Sequence, residues 1–197
     1  MPDPGQSPPQ APRGTTRSGR RTLLLVAAVV AAPVVASYTA YYLIPREART
    51  NYGELLATAP APELTGVRAD GQPFALSQLR GKWVLFVSAP GGCDARCAQS
   101  LYATRQARTI QGRERERVQR VWLLTDDVAP DPALLAQHPD LRVARVAREA
   151  LAGLPAGPDR IYLVDPLGNL VLAFPGEPDI GKVAKDIERV LRASRIG

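Results

Sequence analysis

A run of 23 residues without a charge, residues 22–44 ("TLLLVAAVVAAPVVASYTAYYLI"), constrains this chain more than any other feature. A helix of about 20 apolar residues crosses the hydrocarbon layer of a membrane, and a proline such as Pro33 is tolerated inside it. A cleaved signal peptide usually has a shorter apolar region, about 7–15 residues, before a small-residue cleavage site. The run is longer and ends in bulky residues, so it predicts an uncleaved transmembrane anchor rather than a signal peptide, a twin-arginine signal or a core helix.

Arginines flank the predicted anchor unevenly. Two of them follow it, with Glu47 between them, whereas four precede it: Arg13, Arg17, Arg20 and Arg21. Basic residues close to a span favour the cytoplasmic side of the membrane. We therefore expect residues 1–21, which are rich in Pro, Gly, Ser and Arg, to form a disordered cytoplasmic tail. The part of the chain after the anchor is expected on the opposite side.

The net charge of +6 does not indicate nucleic-acid binding. Residues 1–49 contain six arginines and two acidic residues, whereas residues 50–197 contain 19 basic and 17 acidic ones. The excess positive charge therefore belongs to the flanks of the anchor. Residues 50–197, in which positive and negative charges nearly cancel, lack the basic surface that binds a nucleic acid. We therefore expect no nucleic-acid partner.

The rest of the chain is predicted to contain a linker, residues 45–62, and one domain, residues 63–197. Asp70-Gly71 is typical of a hairpin turn. Apolar runs and amphipathic stretches then alternate: a strand at 83–88, a helix at 94–110 with Leu101 and Ile110 facing inward, a strand at 118–125, a short helix, a strand at 141–146, a hairpin at 160–174, and a last helix with Ile180, Val183, Ile187 and Leu191 on one stripe. This order predicts an α/β domain with a mixed central sheet and helices on both faces.

Both cysteines, Cys93 and Cys97, stand where the first core strand feeds a helix. Helix N-termini carry a partial positive charge, which, together with Arg96, favours reactive thiolates. If residues 93–97 form the first helical turn, the two Cβ atoms lie roughly 5–6 Å apart. A disulfide needs about 3.5–4.5 Å, so it requires a small local distortion.

The spacing leaves three kinds of site open: a structural disulfide, a redox pair and a clamp for a soft metal ion. Cu(I) accepts two or three sulfur ligands, whereas zinc usually requires four ligands. A zinc site is not expected, because the only histidine, His138, lies in a predicted surface loop. Asp126 and Asp127 are expected to cap the turn after a strand, and Trp83 and Trp122 to lie in the core.

Residues 60–195 resemble the thioredoxin-fold proteins through "LSQLRGKWVLFVSAP", the Cys-x-x-x-Cys helix, "TDDVAPDP" and "IYLVDPLGNLVLAF". The three residues between the cysteines and the single anchor are typical of the Sco/SenC branch. The resemblance implies a thioredoxin-like fold after one transmembrane helix, with Cys93 and Cys97 as a redox pair and as copper ligands. It implies a role in building the copper centre of cytochrome c oxidase, beside an oxidase subunit or another assembly factor, with the domain in the periplasm and the anchor in the inner membrane.

One departure from the family pattern concerns copper. Sco-like proteins carry a third ligand, a histidine, shortly before the strand written here "RIYLVDP", and Gly157 stands near that position. Two sulfurs suffice for Cu(I), whereas Cu(II) benefits from imidazole and is not expected. Two alternatives remain: a metal-free thiol-disulfide oxidoreductase, the one enzymatic activity expected, and a non-catalytic anchored interaction module with a vestigial cysteine pair. Pro90 stands where peroxiredoxins have threonine, so peroxidase chemistry is not expected.

Overall fold

The computed structural model describes residues 16–43 and 51–194, and the chain divides into two units, residues 1–49 and 50–197. The described part of the first unit is one helix, α1 (Thr16–Leu43), with Pro33 inside it. Its segment Gly19–Thr39, with a mean hydropathy of 2.0, is the one helix among the described residues that is long and apolar enough to cross a membrane. Residues 16–21 of the predicted disordered tail are helical, which differs from the prediction. Residues 1–15 and 44–50 lie outside the described residues.

The second unit is built around one eight-stranded sheet in the order β1-β8-β7-β4-β5-β6-β2-β3. The strands are β1 (Glu54–Pro60), β2 (Thr65–Arg68), β3 (Pro73–Ala75), β4 (Trp83–Ala89), β5 (Val118–Leu124), β6 (Leu141–Val146), β7 (Arg160–Val164) and β8 (Asn169–Pro175). The helices are α2 (Ala95–Ile110), α3 (Pro132–Ala136) and α4 (Ile180–Ala193), and short 3₁₀ turns occupy Leu76–Leu79, Gly112–Arg117 and Arg148–Gly153.

Strand β4 lies in the interior of the sheet and has all seven residues buried, as its continuous apolar run predicts. It pairs in parallel with β5, which pairs in parallel with β6, whereas every other pairing in the sheet is antiparallel. The predicted mixed sheet is therefore confirmed. Trp83 and Trp122 lie in the core, 6% and 0% exposed, as expected.

Both long helices cover the same face of the sheet. Leu85 and Val87 of β4 belong to a core cluster with Leu101 of α2 and Ile187 of α4. On the opposite face, a second cluster contains Val84 and Phe86 of β4 with residues of two 3₁₀ turns, Leu76, Leu79 and Leu151. The predicted flanking helices are therefore confirmed, with the difference that the second face is covered by short 3₁₀ helices and not by long α-helices.

Ile110 is 60% exposed, whereas Leu101 is fully buried. Nine residues at about 100° each amount to two and a half turns, so these two side chains lie on opposite sides of α2. The expectation that both face inward is wrong for Ile110.

The predicted linker, residues 45–62, contains an edge strand. β1 pairs antiparallel with β8, and its residues are mostly exposed. An edge strand without apolar alternation leaves no periodic signal, which is why the sequence favoured a linker. Before β1, the buried Asp186 of α4 accepts hydrogen bonds from the backbone N–H groups of Tyr52 (2.7 Å) and Gly53 (2.9 Å). The start of the second unit is thereby fastened to its last helix.

Candidate functional site

The two cysteines flank the first residues of α2. β4 ends at Ala89, and Cys93 lies in the loop before the helix. Asp94 is the helix N-cap, since its Oδ1 accepts a hydrogen bond from the backbone N–H of Cys97 at 2.9 Å. The first helical turn therefore begins after Cys93, in agreement with the helix predicted at 94–110, so the condition that residues 93–97 form one turn is not met.

Cys93 and Cys97 form a disulfide with a Cα–Cα distance of 5.2 Å, within the usual range. Cys93 has a φ of +34°, the left-handed region that a residue with a side chain enters at a cost of about 1–2 kcal/mol. The local distortion expected for this spacing is thus found in the backbone of Cys93. Cys97 is 5% exposed, whereas Cys93 is half-buried, so Cys93 is the more accessible of the pair.

The loop that carries Cys93 is held against the end of β5. The backbone N–H of Gly91 donates to Oδ1 of Asp126 at 2.8 Å, and the same oxygen accepts from the N–H of Val128 at 3.3 Å. A Cβ on Gly91 would lie 1.8 Å from the carbonyl oxygen of Val128, so only glycine fits here. Asp126 thus stabilises a turn, as expected, and also fixes the cysteine loop.

Charged side chains near the disulfide are largely exposed. Arg96 forms an ion pair with Glu177 at 3.5 Å, and both side chains are 61% exposed. Exposed ion pairs of this kind contribute little to stability. Glu177 also offsets the positive charge of Arg96, which was expected to favour the thiolates. The N-terminus of α2 remains as a source of positive potential beside both sulfurs.

A small cavity of about 120 Å³ lies beside Cys97, at the end of β4. Its lining includes Ser100, Asp159 and Arg160 as well as Arg96. Cys97 thus borders an opening although most of its surface is buried.

Gly157 stands near the position where the Sco resemblance implies a histidine, in the loop 154–159, which contains one carboxylate, Asp159, and no histidine. Gly157 has a φ of +82°, and its carbonyl oxygen accepts a hydrogen bond from the hydroxyl of Tyr162 at 2.7 Å. That hydroxyl also accepts from the N–H of Ala156 at 3.0 Å. Burial raises the pKa of Tyr162, so its hydroxyl stays protonated and can donate. Ser88 donates to the carbonyl oxygen of Pro158 at 2.7 Å and holds the same loop.

His138 is buried, 4% exposed, and the prediction of a surface position is wrong. Its Nδ1 lies 3.3 Å from Nη2 of Arg120, a residue of β5 that is itself 1% exposed. Arg120 also donates to the carbonyl oxygen of Leu101 at 2.7 Å and to Asp140 at 3.0 Å. This network was not predicted from the sequence, because an arginine inside a strand pattern is usually solvent-exposed.

The donor atoms near the cysteines determine which metal ion this site can hold. In the ranges 16–43 and 51–194, no three His, Cys, Asp or Glu side chains are grouped so that they could hold a metal ion. His138 contacts Arg120 instead of the cysteines. Once reduced, Cys93 and Cys97 supply two sulfurs, a set that fits Cu(I) and does not fit Cu(II) or zinc.

The comparisons with known proteins agree with this architecture. Residues 83–194, more than half of the chain, match the family described as transmembrane-like, thioredoxin-like, C-terminal domain. No curated protein matches the sequence.

Among solved structures, Arabidopsis thaliana ScoI with copper bound is 17% identical with a TM-score of 0.57, over 69% of this chain and 100% of that chain. Apo Sco1 from Thermus thermophilus is 23% identical with a TM-score of 0.56, over 75% and 98%. The thioredoxin domain of a thiol-disulfide oxidoreductase from Bacteroides vulgatus is 20% identical with a TM-score of 0.51, over 69% and 99%. The predicted thioredoxin-like fold is confirmed, and so is the resemblance to Sco proteins at the level of the fold. The chain therefore belongs to the family of transmembrane-like, thioredoxin-like C-terminal domains, with the fold of the Sco proteins.

Proposed function

We propose that this chain is a membrane-anchored, Sco-like protein that assists the assembly of cytochrome c oxidase through Cys93 and Cys97. The observation that carries the proposal is the Cys93–Cys97 disulfide, placed between the end of β4 and the first turn of α2 in a fold shared with copper-bound Sco structures. The proposed activities are thiol-disulfide exchange and Cu(I) binding by the same two sulfurs.

Exchange begins from the reduced pair. The thiolate of Cys93, the more accessible sulfur, attacks a disulfide of the target protein, forms a mixed disulfide and releases one target thiolate. The Cys97 thiolate then attacks the sulfur of Cys93, releases the second target thiolate and closes the disulfide seen in the structure. Two electrons pass to the target, and a dithiol reductant restores the pair.

The second proposed activity is the binding of Cu(I) by the reduced cysteines. The reduced sulfurs lie on residues with Cα atoms 5.2 Å apart, and both belong to a loop and helix turn held by Asp126 and Asp94. Two thiolates suit Cu(I), and a target with further sulfur or imidazole ligands would draw the ion away, since more ligands bind it more tightly.

A membrane anchor in α1 favours a target protein that lies in the same membrane. We propose that α1 lies in the inner membrane, with the N-terminus in the cytoplasm and residues 63–197 in the periplasm, from the excess of arginines before the span. Tethering raises the effective concentration near an oxidase subunit or another assembly factor.

Anaerobic titration of the reduced full-length chain with Cu(I) tests the metal part. We expect one tightly bound equivalent, lost in the Cys93→Ser, Cys97→Ser double variant. His138→Asn is the matched control, because His138 contacts Arg120 and should not contribute to binding. Copper binding that survives the double variant, or that is lost in the control, contradicts the assignment.

A metal-free oxidoreductase is the second candidate, favoured by the missing third ligand among the described residues. Equilibration of the pair with glutathione buffers measures its reduction potential. A reduction potential below about −300 mV would indicate a structural disulfide and would exclude thiol-disulfide exchange. If the double serine variant still supports oxidase assembly in cells, the chain acts through neither chemistry and is an interaction module.

A further inference from the structure

Cys93 has a backbone conformation that its disulfide enforces. Among the residues that the structure describes, it is the one non-glycine residue with a positive φ, +34°. This left-handed region is unfavourable for an L-residue, and apart from glycine it is visited mainly by Asn and Asp, whose short polar side chains bond locally. A cysteine side chain has no such local bond to offer. The covalent bond to Cys97 is therefore the constraint that holds this backbone.

The chain before Cys93 is fixed by contacts that involve no sulfur atom. The N–H of Gly91 donates to Oδ1 of Asp126 at 2.8 Å, and the backbone of Gly91 lies directly against the carbonyl oxygen of Val128. The N–H of Cys93 donates to the carbonyl oxygen of Pro90 at 3.1 Å, which closes a β-turn. The start of the cysteine loop therefore keeps its place when the disulfide is opened.

The chain after Cys93 is fixed as well. Oδ1 of Asp94 accepts from the N–H of Cys97, and the carbonyl oxygen of Asp94 accepts from the N–H of Ala98, both at 2.9 Å. Cys97 and Leu101 also belong to the core cluster between the sheet and the two long helices. The first turn of α2 therefore needs no disulfide to stay in position.

Gly92 is the residue between these two fixed parts that is free to rotate. A Cβ on Gly92 would meet no atom within 4 Å, whereas a Cβ on Gly91 would overlap a carbonyl oxygen. A rotation about φ of Cys93 redirects the chain and requires a compensating rotation next to it. Glycine adopts positive and negative φ about equally, so Gly92 can supply that rotation. The segment able to change conformation is thus Gly92–Cys93.

We propose that Gly92–Cys93 is a redox-sensitive switch: the disulfide holds Cys93 in the left-handed region, and reduction releases it to a negative φ while Gly91 and α2 stay in place. The intrinsic preference of an L-residue makes the left-handed form about 5–30 times less populated once the bond is open. The Cys93 sulfur then leaves its position beside Cys97. A partner that contacts Gly92 and Cys93 therefore meets a different surface in each redox state. The inference rests on the redox cycle of the proposed function, but on neither its target nor copper.

Dithiothreitol opens the bond in a balanced reaction. One of its thiolates attacks the sulfur of Cys93, and Cys97 leaves as a thiolate that takes up a proton. The second dithiothreitol thiolate then displaces the sulfur of Cys93 and closes the cyclic disulfide of the reagent. Two electrons and two protons pass to the protein.

The full-length chain in lipid nanodiscs, labelled with ¹³C,¹⁵N-cysteine, has two labelled residues, because the chain has two cysteines. A positive φ brings the amide and α protons of one residue closer together than a negative φ does, and the NOE between these protons is stronger. We expect a strong NOE at Cys93 in the oxidised chain and one several-fold weaker after reduction by dithiothreitol. Cys97 is the internal control: it is helical, so its NOE should be weak in both states.

Cys97→Ser removes the disulfide without a reductant and leaves Cys93 as the single labelled residue. Its NOE should equal that of Cys93 in the reduced wild type. This variant tests the switch even where dithiothreitol leaves the wild-type disulfide intact, a result that would contradict the proposed exchange instead. A strong Cys93 NOE in the variant, or in the reduced wild type, overturns the switch. A change at Cys97 as large as that at Cys93 also overturns it, because the first turn of α2 would then move too.

Discussion

Acid should destabilise the second unit through His138. Burial, and then the charges of Arg120 and Arg105, lower the pKa of His138 from 6.5 to about 4, while Asp140 acts in the opposite direction. The pKa in the folded state thus lies below that of the unfolded chain. As the pH falls from 6.5 towards 4, the unfolded chain takes up a proton that the folded state does not, so the stability present above pH 6.5 is lost.

The size of the loss follows from the same values. A shift of about 2.5 units gives a loss between pH 7 and pH 5 of about 1.8 kcal/mol, at about 1.36 kcal/mol per unit. The side chain of His138 is 4% exposed, and this residual exposure reduces the loss. We therefore expect about 1–2 kcal/mol.

Urea unfolding of the full-length chain at pH 7 and pH 5 measures this loss by tryptophan fluorescence. The only two tryptophans, Trp83 and Trp122, are buried in the second unit, so the signal reports on that unit. His138→Asn is the reference, because its Oδ1 replaces Nδ1 as acceptor and does not titrate. The wild type should lose about 1–2 kcal/mol more than the variant between the two pH values. An identical pH dependence in both would refute the reasoning.

Three further substitutions test the packing around the site and the start of the unit. Gly91→Ala should cost about 1–3 kcal/mol and change the rate of disulfide reduction by dithiothreitol several-fold, because its Cβ would overlap a carbonyl oxygen; Gly92→Ala, with open space, should change neither. Asp186→Ala should cost about 2–3 kcal/mol in urea unfolding, because two backbone N–H groups lose their acceptor, whereas the exposed Glu188→Ala should cost little. Asp94→Ala should cost about 1 kcal/mol by loss of the N-cap and Asp94→Asn should not; equal stability of the two would contradict the role of the cap.

Much of the second unit could be predicted, because its interior elements leave strong periodic signals. The continuous apolar run of β4 and the stripe of α4 gave these elements their correct type and position. Asp70-Gly71 marked the turn between β2 and β3, as found. The edge strand β1 could not be found, since an exposed strand pairs through its backbone and not through an apolar face.

At the site, the place of the cysteines after β4 and the turn at Asp126 could be predicted. The left-handed backbone of Cys93 could not, because no sequence pattern specifies the conformation of a single loop residue. Arg120 is buried because it finds acceptors on α2 and at Asp140, and the tertiary structure alone brings these together. His138 was misplaced for the same reason, since its burial depends on that arginine.

The hydrogen bonds from Tyr52 and Gly53 to Asp186 determine where the chain can be cut to remove the anchor. A soluble fragment that starts after Gly53 would keep the whole of β1 but would leave the carboxylate of Asp186 buried without the two N–H groups that solvate it. Asn51 adds a further contact, because its side chain accepts from Arg189 at 2.6 Å. Fragments for solution work should therefore begin before Asn51, and a protease that cuts between the anchor and this point would release an intact unit.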